Sequence, residues 1–199
     1  MSFPFENLRS PAALSRFFLA VLLGLGLDLW TKHAALERLA AGVPQHVQDF
    51  ETGRSRWIVE PRFDLRETRG YVVVPNLLNF NVTVNEGAVF GFGQGKRWIF
   101  VTISVAAILF LTYLFATSGR QRFYQIILGM LLAGVLGNMF DRIRFGYVRD
   151  MIYALPKWGA FPYIFNVADM LLCVGVGLIF VYSLLHPRPK AKAAEPTVA

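Results

Sequence analysis

Asp141, Asp150 and Asp169 are three carboxylates on the segment that joins the last two long apolar stretches of the chain. A segment of that length can fold back, bringing Asp150 close to Asp169 at the mouth of a helix bundle. Two carboxylates at hydrogen-bonding distance in a poorly hydrated site do not both ionise easily; they share a proton and their titrations separate. One then takes a proton from water while the other donates to a substrate carbonyl, which is peptide hydrolysis without metal or covalent intermediate. A plainer reading stands beside this one. Asn166 lies three residues before Asp169, where it can cap a helix while the acid favours the helix's positive end. Acids near a membrane surface are also more often solvated or ion-paired than catalytic. Spacing alone leaves both readings open.

The elements that hold these acids follow from composition. Of 199 residues, 55% are hydrophobic and 17% charged, with mean hydropathy +0.45, too apolar a balance for an ordinary soluble domain. Four stretches, about 16–39, 98–116, 123–140 and 167–185, approach the ~20 residues that a helix needs to cross a hydrocarbon core. The expected fold class is membrane all-α: a four-transmembrane-helix bundle with a small extracytoplasmic β-sheet between helices 1 and 2. The first stretch also has the makings of a cleaved signal sequence, with Arg9 and Arg16 as a basic flank and a short apolar region from Phe17 to Leu27. Asp28 and Lys32 favour its retention. Four residues apart, they meet on one helical face as a structural ion pair inside the membrane.

The expected β region covers about 43–97. Leu78, Phe80, Val82 and Val84 alternate with Asn79, Asn81, Thr83 and Asn85, the period of a half-buried strand. Trp57 to Val59 and Tyr71 to Val74 add strands, Asn85 to Gly87 make a turn, and Ala88 to Phe92 begin the return to the next helix. A charged excursion fills about 54–70. The second outer loop, 141–166, is amphipathic, with Tyr147, Trp158 and Tyr163 suited to the membrane interface. Asn138, one turn before Asp141, forms a polar knot with Asp141 and Arg142, and Gly134 and Gly137 suit close helix packing. Residues 1–15 and 187–199 read as tails flanking a membrane domain of residues 16–186.

Other chemistries are disfavoured. The single cysteine, Cys173, permits no intrachain disulfide, and His33, His46 and His186 lack ligand spacing, so no metal or other cofactor is expected. The net charge of +7 falls in loops and tails without aromatic-interleaved basic repeats, which points to membrane lipids and not nucleic acid as partners. Arg9, Arg16, Arg120, Arg122, Arg188, Lys190 and Lys192 mark one side and place both termini in the cytoplasm. The rival functions are a proton-coupled small membrane transporter and a non-catalytic membrane subunit or lipid-binding scaffold.

Five motifs occur in order along the chain: DLWTK with Asp28 and Lys32, NEGAVFG with Asn85 and Gly87, GVLGNMFDR with Gly137, Asn138, Asp141 and Arg142, YVRD with Asp150, and FNVAD with Asn166 and Asp169. On these the chain resembles lipoprotein signal peptidase (signal peptidase II), a family of aspartic proteases of the bacterial inner membrane. The resemblance implies that Asp150 and Asp169 are the catalytic pair. It implies that Asn85, Gly87, Asn138, Asp141, Arg142 and Asn166 support the site or substrate, and that Asp28 with Lys32 helps hold the bundle together. The implied substrate is a prolipoprotein cut just before a diacylglyceryl-modified cysteine, at the extracytoplasmic face, with the cyclic peptide globomycin as inhibitor. Met170 after FNVAD, Met151 after YVRD and the extra residues near 54–70 depart from the family pattern. They bear on substrate fit, because no expected catalytic group is missing.

Overall fold

The structure is a computed structural model that describes residues 5–39, 44–48, 55–59, 71–87, 93–156 and 163–186. Four of its helices are long and apolar enough to cross a membrane: α1 (Pro11–Leu39), α2 (Arg97–Thr117), α3 (Arg122–Arg144) and α4 (Val167–Leu185). α1 begins at Pro11 and not near residue 16, because proline at the first helical position sacrifices no intrahelical hydrogen bond. The Ser10 hydroxyl accepts from the Ala13 N–H at 3.3 Å. Residues 5–15 are therefore not a loose tail. Asn7 is buried, and its amide donates to the Phe115 carbonyl and the Ser118 hydroxyl, each at 2.8 Å, tying the chain's start to the end of α2.

α3 is the central helix. More than half of its apolar window is buried inside the protein, 56%, against 28% or less for each of the others, which turn large apolar side chains such as Leu22, Leu109 and Phe180 to the outside. In lipid, close approach of backbones replaces the hydrophobic effect as the source of helix association, and glycine supplies it here. A Cβ at Gly129 would stand 2.6 Å from the Phe17 carbonyl oxygen, and one at Gly134 would stand 2.7 Å from that of Ala168. Gly129→Val should therefore lower the thermal unfolding midpoint of the detergent-solubilised protein, at a cost of about 1–3 kcal/mol for overpacking. Gly26→Val, at a position with nothing within 4 Å, should leave the midpoint nearly unchanged.

α1, whose most extensive packing is on α3, carries one buried stripe of Ala13, Phe17, Val21, Gly24, Asp28, Lys32 and Leu36, the last of which meets the sheet. The spacings of three and four residues keep that stripe on one face. At its lower end Phe17 stacks on Phe115 with ring centroids 4.1 Å apart, and at its upper end it becomes polar. The ion pair thus lies on the packing seam itself.

The β structure differs from the expected single sheet between the first two helices. β1 (Pro44–Gln48) and β2 (Ser55–Val59) form a two-stranded antiparallel sheet of their own. β3 (Tyr71–Val74) and β4 (Leu78–Asn85) join β5 (Val148–Ala154) and β6 (Ile164–Phe165) in a four-stranded sheet of order β3-β4-β5-β6. The second outer loop thus supplies two of the four strands of this sheet. α3 also continues to Arg144, so that Asp141 and Arg142 are helical. Tyr147, expected at the interface, is buried at 1% exposure. Trp158, the return at Ala88 to Phe92, most of the 54–70 excursion and the tail 187–199 lie outside the described residues.

The alternation along β4 is interrupted as well. Phe80 pairs with Ile152 but Thr83 pairs with Asp150, a register shift that inserts an extra residue into β4. Such a bulge re-aims the side chains that follow it. Val82 packs with Leu36 and Met151, and Val84 lies against that cluster. Thr83 and Asn85, opposite Asp150 and Val148, share the other face with Asp150.

Candidate active site

Asp169 is first of all a helix cap. The Asn166 side-chain oxygen accepts from the Asp169 N–H at 3.0 Å, and an Asp169 carboxylate oxygen, Oδ2, accepts from the Asn166 N–H at 3.2 Å. This reciprocal capping box satisfies two otherwise orphaned donors at the start of α4. The plain reading of the acid therefore holds, and it leaves the second oxygen free. That oxygen, Oδ1, accepts from the Asn138 side-chain amide at 2.8 Å.

Asp150 arrives from the sheet. It is 2% exposed, and its Oδ1 accepts from the Asn166 amide Nδ2 at 2.6 Å, with a further side-chain hydrogen bond to Asn85. Asn166 thus grips both carboxylates, one through its backbone N–H and one through its side chain. Burial, followed by the negative charge of Asp169, pushes the Asp150 carboxyl up to about 8, against the smaller opposing effects of Asn166, Lys32 and Asn85. At neutral pH Asp150 carries a proton. Asp169 is only half buried, and both its oxygens accept hydrogen bonds, the arrangement that suits a carboxylate at a helix N-terminus.

Among the described residues, this polar junction brings together the acids Asp28, Asp141, Asp150 and Asp169 and the cations Lys32, Arg142 and Arg149.

The remaining predicted residues fall into two layers. Asn85 and Gly87 form an Asx turn in which the Gly87 N–H donates to the Asn85 side-chain oxygen at 3.0 Å. Arg142 donates through Nη2 to the Gly87 carbonyl at 3.0 Å and through Nη1 to the Asn138 carbonyl at 3.4 Å. Its Nε is buried without a hydrogen-bond partner among the described residues. Asn85, Gly87, Asn138, Arg142 and Asn166 therefore surround the carboxylate pair.

Asp141 stands behind them. The expected knot of Asn138, Asp141 and Arg142 is corrected in one respect: the partner of Asp141 is Arg149, whose Nη2 lies 2.7 Å from Oδ1 and whose own backbone N–H donates to Oδ2 at 3.0 Å. Sequence reading missed Arg149, although it precedes Asp150 in YVRD. Successive strand residues face opposite ways, so the arginine beside an inward acid must look for a partner on the other face of the sheet.

Asp28 and Lys32 make a buried ion pair at 2.8 Å with neither side chain exposed. Each also reaches another helix. Asp28 accepts from the Ala168 N–H at 2.8 Å in the first turn of α4, and Lys32 donates to the Asn138 side-chain oxygen at 3.1 Å and lies 3.4 Å from Asp141. A Cβ on Gly137 would collide with the Asp28 carboxylate, so the glycine makes room for this junction.

A multi-pass bundle that gathers buried carboxylates at one end of its membrane helices defines the class: a multi-pass membrane protein with a polar site among its apolar spans. The chain belongs to the signal peptidase II family, whose model, "Signal peptidase (SPase) II", matches residues 20–185. The lipoprotein signal peptidase of Enterococcus faecalis (strain ATCC 700802 / V583) is 32% identical over 182 residues, covering 91% of this chain and 95% of that protein. That of Latilactobacillus sakei subsp. sakei (strain 23K) is 40% identical over 119 residues, covering 59% of this chain and 77% of the relative. A solved structure described as "Bacterial membrane enzyme structure by the in meso method at 2.3 A resolution" superposes with a TM-score of 0.65 at 26% identity, covering 90% of this chain and 93% of that one. The protein is thus a peptidase and a multi-pass bacterial membrane protein.

Proposed function

We propose that the protein is an aspartic endopeptidase that removes the signal peptide from diacylglyceryl-modified prolipoproteins, cutting before the lipidated cysteine. Family membership supplies the reaction class. The observation that carries the catalytic assignment is Asn166 holding Asp150 and Asp169 together, at 2.6 Å and 3.2 Å, in two different hydrogen-bonding states.

In this reading the ionised Asp169 takes a proton from the attacking water while the protonated Asp150 donates to the scissile carbonyl. Their roles exchange as the amide breaks and its nitrogen is protonated. The Asn85–Gly87 turn and Arg142, whose Nε has no partner among the described residues, hold the extended peptide backbone across the pair. A site at the ends of the membrane helices suits a substrate whose acyl chains stay in lipid. The basic flanks of α1 and of the α2–α3 turn support cytoplasmic termini and an active site at the extracytoplasmic face of the cell inner membrane.

Purified protein incubated with a diacylglyceryl-modified precursor should release a signal peptide, seen as a mass shift that globomycin suppresses. Proton flux without a peptide product would instead favour a carrier. The pH dependence has a definite sign. The acid must hold its proton, so turnover should fall as pH rises through about 8, where Asp150 ionises. A rate that keeps climbing above pH 9 would assign the acid role elsewhere.

A further inference from the structure

We propose that Lys32, beyond holding α1 in the bundle, is a positioning residue that sets the donor facing the catalytic base. The proposal rests on the aspartic reading above. A lysine ammonium has three donors and no acceptor, so the Asn138 atom that lies 3.1 Å from Lys32 Nζ must be the side-chain oxygen. The same oxygen accepts from Asn166 Nδ2 at 3.2 Å. With Oδ1 claimed twice, Nδ2 has one orientation left, and it points at Asp169 Oδ1 from 2.8 Å. Lys32 therefore acts on Asp169 through a single intervening amide, which its positive charge also polarises into a stronger donor.

The surroundings make this a specific device. Lys32 is wholly buried, and burying an ammonium is costly unless it is paired. Asp28, four residues earlier, is pairing enough for a bundle-holding role. Yet the ammonium also reaches α3, where it meets both Asn138 and Asp141. Without Lys32, the 3.2 Å contact from Asn166 Nδ2 is the remaining hold on the Asn138 oxygen, so the amide is less firmly kept with its N–H toward the carboxylate that must take the water's proton, and loses the polarisation the ammonium supplied. Substrate contacts made by Asn85, Gly87 and Arg142 do not involve Lys32, so the loss falls on turnover and spares binding.

Two charge-balanced pairs isolate the hydrogen bond from the ion pair: Asp28→Asn with Lys32→Gln, and Asp28→Asn with Lys32→Met. Both remove the same two charges and keep a side-chain oxygen at position 28 for the Ala168 N–H. Only the Gln pair retains a donor toward Asn138. With a diacylglyceryl-modified precursor peptide, the Met pair should show a kcat at least tenfold below that of the Gln pair, with KM within twofold. Equal kcat values in two folded proteins would overturn the proposal and leave Lys32 a purely structural residue.

Asn138→Asp provides an independent check if the Met pair does not accumulate in membranes. It keeps an acceptor for Lys32 but sets an oxygen against Asp169, so kcat should fall at least 100-fold at unchanged KM; wild-type turnover there also overturns the proposal. Asp150→Asn, assayed in parallel, tells the two readings apart. If it is inactive while the Met and Gln pairs match, only the role of Lys32 fails, whereas full activity of Asp150→Asn removes the aspartic mechanism and this inference with it.

Discussion

Asp150→Asn and Asp169→Asn should each abolish precursor cleavage, with a loss of about 10⁴-fold, while leaving the protein folded and inserted. The magnitude is the upper range for removing one positioned acid or base. The expectation of an intact fold comes from the hydrogen bonds that survive. An asparagine at 150 still offers an oxygen to Asn166 Nδ2, and one at 169 still offers an oxygen to the Asn166 N–H, so the start of α4 keeps its cap. Loss of activity should therefore come without loss of helical signal or of the thermal transition. Either variant cleaving at the wild-type rate, in a preparation free of host enzyme, would refute the assignment of that carboxylate.

The neighbouring substitution should do the opposite. Arg149→Met is expected to destabilise the protein by about 3–5 kcal/mol, because it strips the main counter-charge from a carboxylate that has no exposure. Lys32 lies 3.4 Å from Asp141, but it is already engaged by Asp28 at 2.8 Å. The Arg149→Met, Asp141→Leu double variant should regain much of the loss, since replacing a whole buried pair by apolar groups is far cheaper than orphaning one member. Unfolding of the detergent-solubilised variants by heat or denaturant measures both effects. A single variant as stable as wild type would show that Asp141 finds its compensation elsewhere. Consecutive residues on β5 thus face opposite ways: Arg149 meets Asp141 and Asp150 meets Asn166.

Much of this architecture was legible in the chain. Four apolar stretches announced four helices, because a hydrocarbon core demands length and apolarity from every segment that crosses it. The Asp28 and Lys32 spacing announced an ion pair that does form, and the motif residues Asn85, Asn138, Arg142, Asp150, Asn166 and Asp169 do meet at one end of the bundle.

What only the tertiary structure decided was the partner of each group and its surroundings. β5 could not be read from the segment after Asp141, because strand pairing with β4 is a contact between residues far apart in the chain. The bulge in β4 was hidden, since a period-two pattern carries no mark of an inserted residue. For Asp141, sequence proximity suggested Arg142, whereas the sheet delivered Arg149. The buried stripe of α1 was masked for another reason: in lipid the outward face is as apolar as the inward one, which erases amphipathic contrast. The different surroundings of the two aspartates also lie beyond sequence. Asp150 and Asp169 are the same residue type, and only folding buries the first in the sheet, where its carboxyl is pushed up to about 8, and sets the second, half-buried, in the capping box of α4.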